Sequence, residues 1–218
     1  MAKTTGKTLT RLLQDSEVAL TNAEANPEIK TALETVSYGT EKIAEGKALR
    51  QKVASQSDTQ LKEFVESTDA SHRFKAAMKQ VKETYSGHRK RAKLAFEDDS
   101  TALYDLALLG KQSKVNSVWV DMVTKFYATL LDNEAYLATI AGMGVTREDV
   151  EAAQALIDPL NEAYTVFVRE KGESEEATRA KEQAQRDLEL YMNRFWKAAR
   201  IALEDKPQLM ESLKKTVK

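Results

Sequence analysis

The chain has only two histidines, His72 and His88, and no cysteine. The lack of thiols excludes disulfides, thiol catalysis and cysteine-based zinc or iron–sulfur sites. A carboxylate di-metal centre in a helical bundle needs a Glu-x-x-His pair from each of two helices and two further glutamates. Neither histidine has glutamate three residues before it. Asp69 stands there for His72, which makes one imperfect half of the motif. A histidine-based zinc site is equally unsupported. There is no G-x-S-x-G elbow, Walker A loop or G-x-G-x-x-G loop, and Gly142-Met143-Gly144 lacks both the rest of that fingerprint and a preceding strand. The expectation is a protein that is not an enzyme, with no catalytic residue, no metal and no cofactor.

The sharpest charge feature is the run His88-Arg89-Lys90-Arg91-Ala92-Lys93. It could meet phosphate. As a solvated face near a helix C-terminus, it would also suit the helix dipole. Glu97-Asp98-Asp99 follows at once and cancels much of its field. The formal net charge is −1, so no global field steers the chain onto nucleic acid or anionic lipid. No apolar window is long enough to span a bilayer, and the N-terminal residues lack the apolar core of a secretion signal. The expectations are therefore no nucleic acid, no stable membrane association and a cytoplasmic location.

The elements that position these residues are written twice. A shift of 107 residues sets Asn26 on Asn133, Ala48-Leu49 on Ala155-Leu156 and Glu97-Asp98 on Glu204-Asp205 without a gap. Such self-similarity marks an internal repeat, with units at about 7–107 and 115–214 inside a single helical-bundle domain spanning 1–218. The shift places His88 on Phe195, so His88 reads as a ring filling an aromatic slot. His72 falls on Arg179 and reads as solvated.

With 3 Pro and 8 Gly there is little punctuation, and good helix formers dominate. Each repeat is expected to open with a helix, about 7–25 and 115–132. A short helix follows, started by Asn26-Pro27 or Asn133 and stopped near Ser37-Tyr38-Gly39 or Gly142–Gly144. Next come long helices over about 40–65 and 147–171, the second entered through a capping box at Thr146 and kinked by Pro159. Turns at Ser67 and at Gly172–Ser174 lead into the last long helices. Apolar steps of three and four, such as Val150, Ala153, Ile157, Leu160, Tyr164 and Phe167, give each long helix one oily stripe. The expected fold is all-α: an antiparallel four-helix bundle of two long α-hairpins related by internal duplication, with shorter flanking helices.

Ser55-Gln56-Ser57-Asp58-Thr59-Gln60 interrupts that stripe, with Ser57 and Gln60 standing where the second repeat has Tyr164 and Phe167. It is read as a break between two helices, with a polar, wet patch as the alternative. In the second case Ser57, Gln60 and His88 would be the residues to line a pocket. Most aromatics, from Trp119 to Trp196, read as core. Phe126 and Tyr127 are adjacent and cannot share one stripe, so one is expected on a flanking helix or exposed.

The stretch from Glu173 through Ala177-Thr178, Ala199–Asp205 and Pro207-Gln208-Leu209 resembles a group of uncharacterised bacterial all-helical bundle proteins, as does Phe126-Tyr127 followed by Leu130 and Gly144-Val145-Thr146. The resemblance covers the last hundred residues best. It implies a fold and no activity. The functional expectation is a non-enzymatic scaffold or protein-interaction module that contacts an unknown protein partner, or itself as a homodimer, through an apolar stripe in 116–131 or 100–109. The alternative is a small-molecule- or metal-binding bundle with the polar pocket named above. A membrane-surface bundle is a third class.

Overall fold

The computed structural model describes residues 6–214, so the N-terminal residues 1–5 considered above for a secretion signal lie outside the described residues. Among the described residues the chain is all-helical. The helices are α1 (Gly6–Ala25), α2 (Pro27–Thr35), α3 (Thr40–Ala95), α4 (Ser100–Asp105), α5 (Asn116–Asp132), α6 (Glu134–Ala141), α7 (Arg147–Gln154), α8 (Ile157–Ala202) and α9 (Pro207–Ser212). None of them is long and apolar enough to cross a membrane.

Local chemistry sets the short helices. The Asn26 side chain accepts from the amides of Glu28 and Ile29 at 3.0 and 3.2 Å, and Asn133 does the same for Ala135 and Tyr136. Each cap satisfies amides that the first helical turn leaves without partners. Thr146 and Asp149 form the reciprocal capping box. The C-terminal stops also match. Tyr38 N donates to Leu33 O at 2.9 Å and Val145 N to Ile140 O at 3.3 Å, the longer-range bond of a Schellman motif. The left-handed residue is Gly144 in one stop (φ 72°) and Ser37 in the other (φ 62°). The expectation that Gly39 would supply the first stop is thus corrected: a serine carries the strained conformation two residues earlier.

The long helices differ more from expectation. α3 runs unbroken through 55–60 and past Ser67, and α8 runs unbroken past Gly172 and Ser174. The two expected hairpin turns are not formed. Gly172 is exposed and does not adopt positive φ, so it makes no stop. A glycine within a helix costs about 1 kcal/mol relative to alanine, which the helix formers around it can absorb. In 55–60 the hydroxyls turn back on their own helix: Ser57 Oγ donates to Val53 O at 2.8 Å and Thr59 Oγ1 to Ser55 O at 3.0 Å. Bonded in this way the hydroxyls are satisfied within the helix at a small cost to it. Pro159 does not kink a helix from within. The helix breaks at 155–156 and Pro159 falls in the first turn of α8, where its missing N–H is not needed.

The chain divides into two compact units. Unit 1 holds the residues up to Phe64 and those from Glu173 onward; unit 2 is Val65–Gly172. The division does not follow the expected repeat units, about 7–107 and 115–214: each compact unit combines the opening of one expected unit with the closing part of the other. Within unit 1 the long segments are α1, the beginning of α3 and the end of α8. Tyr191 meets Lys42, and Lys181 meets Gln60, so α8 descends as α3 rises. Its core joins Leu20, Ile29, Leu33, Ile43, Val53, Leu188 and Phe195. Unit 2 packs the end of α3, α5 and the start of α8 around Phe74, Tyr85, Trp119, Phe126, Leu130, Val150 and Leu160. Each unit therefore rests on three long segments. Burying a large apolar side chain of this kind contributes roughly 1.5–3 kcal/mol.

Candidate functional site

The three residues expected to line a polar pocket are not brought together. Ser57 and Gln60 belong to unit 1 and His88 to unit 2. Gln60 Oε1 accepts from Lys181 Nζ at 3.2 Å, while Ser57 is bonded to its own helix. At the positions in unit 2 related by the 107-residue shift, Phe74 packs on Tyr164 and Phe167, with ring centroids 5.2 Å apart in each pair. Lys181, Ser57 and Gln60 are thus a polar, internally bonded version of an aromatic layer. The helix break expected at 55–60 is not formed, and Ser57 and Gln60 are half-buried on a continuous α3.

His88 is buried, and its Nδ1 lies 3.2 Å from Tyr127 Oη. Unit 1 carries Phe195 and Leu20 at the matching places, both in its core. Phe126 and Tyr127 are both fully buried, so neither is exposed, one of the two outcomes expected for the pair: Phe126 packs edge-on to Tyr85, and Tyr127 meets Tyr85 and His88. Burial holds the His88 imidazole below its ordinary value of 6.5; Asp149 opposes this and Arg91 reinforces it. The unfolded chain therefore binds the proton more readily than the folded one. The His88 contribution to stability is complete above about pH 6.5 and is lost as the pH falls toward the depressed folded value. Melting temperature is expected to drop between pH 7 and 5 more steeply in the parent than in the His88→Phe/Tyr127→Leu double variant, which installs the unit 1 pair. Equal slopes would show that His88 does not supply the pH dependence. His72 lies exposed on α3.

The basic run is not one solvated face. Arg89 is buried; its guanidinium donates to Leu108 O at 3.3 and 3.2 Å and to Gly110 O at 3.1 Å. Lys93 Nζ donates to Gly110 O at 3.1 Å and Arg91 to Gly144 O at 3.4 Å. Carbonyl oxygens of the link between α4 and α5 take up the charges of Arg89 and Lys93, and one in the turn between α6 and α7 that of Arg91.

Two surfaces remain. On unit 2, Tyr104, Leu109, Val115 and Val118 are exposed by 66, 57, 60 and 47%. Lys125 stands over the Tyr104 ring at 5.2 Å and shares a helical face with Val118, seven residues earlier, which joins α4 to α5 across this surface. The segment carrying Leu109 is held by Arg89 and Lys93 on either side, and Ala107 just before it has φ 51°. A side chain so placed is presented rather than merely loose.

No family model, curated protein or solved structure matches the chain. Function therefore rests on the geometry of these surfaces.

The second surface is on unit 1, where α1, the end of α8 and α9 enclose an open-mouthed groove of about 510 Å³. Val18, Trp196 and Met210 supply apolar walls, and Arg11, Arg200 and Lys214 supply charge. On the other side of Trp196 lies a smaller cavity of about 330 Å³, bordered by Ser16, Glu189, Met192 and Asn193. Asp15 is common to both. The groove is cationic and its neighbour acidic. The expected contact segments 100–109 and 116–131 do carry Tyr104, Leu109 and Val118, whereas residue types alone did not reveal the groove, because the gap beside Trp196 depends on which segments pack together.

Proposed function

We propose that the chain is a single helical domain of two duplicated repeat units that works as a non-enzymatic protein-interaction module of the cytoplasm. The exposed apolar side chains of Tyr104, Leu109, Val115 and Val118, on α4, α5 and the link between them, carry this reading. Large apolar side chains exposed on a surface favour removal from water by a partner. Anchorage of the Leu108–Gly110 backbone limits the entropy lost on docking. Exposed Lys111 and Lys114 lie on the same link, which favours a partner segment with acidic residues beside its apolar ones. Replacing Leu109 and Val115 together by aspartate tests the reading in affinity capture from the native host. Proteins held by the parent and lost by an equally stable variant support it. Unchanged capture, together with unchanged mass by light scattering, would remove this surface as the contact for partner or homodimer.

Agreement between the element bounds supports the duplication. Shifted by 107 residues, the start of α3 meets the start of α7, its end meets the end of α8, and α4 superposes in sequence on α9. Ser37 and Gly144 fall together in the left-handed region. Since each unit draws on both repeats, neither repeat holds the partners for its own core. Fragments 1–107 and 108–218 are expected to be poorly folded or to self-associate when separate, and to regain cooperative melting when mixed. Two independently stable monomeric fragments in circular dichroism and light scattering would contradict the single-domain reading. The alternative of a ligand or metal pocket at Ser57, Gln60 and His88 gains no support from the placement of those residues.

A further inference from the structure

The two units treat corresponding positions differently beside the groove. The 107-residue shift places Trp196 on Arg89 and Arg200 on Lys93. In unit 2 those two cations are engaged by the carbonyls of Leu108 and Gly110. In unit 1 an indole ring replaces the first cation. Among the described residues Arg200 has no carboxylate or carbonyl partner. Lys214 lies over the Trp196 ring at 6.0 Å. Arg11 is paired with Asp15 at 3.6 Å, but their side chains are 84 and 62% exposed, so water screens the pair and a ligand can displace it at little cost. The groove thus holds three cations against one carboxylate, around a half-buried aromatic wall.

We propose that this groove binds a small organic anion with a flat apolar body. The ring lies against Trp196 and is lined by Val18 and Met210, and the anionic group meets Arg200, with Arg11 and Lys214 at the rim. The chemistry fits both parts. Guanidinium groups present planar donor forks that match a carboxylate or phosphate. Aromatic and aliphatic walls supply most of the contact area in sites of this size, with a few charges fixing orientation. Glu189, which borders only the adjoining cavity, makes that side unfavourable for the anionic end and so sets the direction in which the ligand lies. This site goes beyond the interaction surface proposed above and lies in the other unit, so either can fail without the other.

The test uses the full chain and 2-naphthoate, with uncharged 2-naphthamide as its isostere, in calorimetric titrations at low ionic strength. The two tryptophan indole N–H signals are followed by NMR, with Trp119→Phe assigning them. One molecule of 2-naphthoate per chain is expected, with Trp196 shifting and Trp119 still. Affinity should fall at least about tenfold for 2-naphthamide and for Arg200→Gln, the loss of one charge-assisted contact. Arg200 is exposed, so Arg200→Gln leaves the core intact, and an unchanged melting temperature verifies this. Three results would each overturn the proposal: no saturable binding of 2-naphthoate, equal affinity for the amide, or binding unchanged in Arg200→Gln.

Discussion

Gly46→Ala is expected to destabilise the protein by about 2 kcal/mol, overpacking and a lost buried hydrogen bond being partly offset by the ~1 kcal/mol that alanine gains over glycine within a helix. A Cβ at Gly46 would lie 2.5 Å from Tyr191 Cε1 and 2.7 Å from its Cζ. Flexible side-chain ends can swing away from such a contact at little cost, but this ring cannot. Tyr191 is nearly buried, stacked on Phe195 at 6.5 Å and tilted against Tyr38 at 6.3 Å. Its hydroxyl also donates to Lys42 O at 2.5 Å. Moving the ring breaks that bond and disturbs the aromatic layer of unit 1 together. Chemical denaturation with Tyr191→Phe as the reference separates the two effects: that variant loses only the hydrogen bond and should cost about 1 kcal/mol. A loss below 1 kcal/mol for Gly46→Ala would mean that the helices part without penalty and the close approach is incidental.

Arg89→Ala is the other large effect, expected at about 2–4 kcal/mol. The guanidinium is buried, and it closes the link between α4 and α5 through Leu108 O and Gly110 O. Charge-assisted bonds to buried acceptors are worth more than neutral ones, and the Leu108 carbonyl, left without its donor, carries a desolvation cost. Arg89→Lys should recover only part, because an ammonium cannot span both carbonyls as a planar fork does. The substitution also bears on binding: release of the anchored backbone should weaken capture of any partner that depends on Leu109, even where the chain stays folded. Denaturant midpoints and capture yields on the same variants distinguish the two effects. A loss under 1 kcal/mol would show that water replaces the arginine adequately.

The parts of this fold readable from residues alone were those decided locally. Asn26, Asn133 and Thr146 act on amides two or three positions away, so their roles follow from spacing. His88 sits in the slot the repeat assigned to it because heptad register fixes which face is buried. That register does not say against what. It could not reveal that the beginning of α3 packs with the end of α8, and therefore that Ser57 and His88 belong to different units. Helix continuity past Gly172 was hidden for a related reason: a single glycine is a weak local penalty that distant packing overrides. Arg89 was read as solvated because its partners are backbone carbonyls, which every residue carries and no sequence marks.

Unit 2 is a continuous stretch of chain, Val65–Gly172, whereas unit 1 needs residues from both ends. During synthesis the ribosome therefore releases everything unit 2 requires while the end of α8, which completes the core of unit 1, is still unmade. Helices α1 and α2 must wait, with Leu20, Ile29 and Leu33 lacking Leu188 and Phe195, until Glu173 and the residues after it emerge. Closing so long a loop is slow compared with local helix contacts. That interval leaves the apolar face of unit 1 open to aggregation.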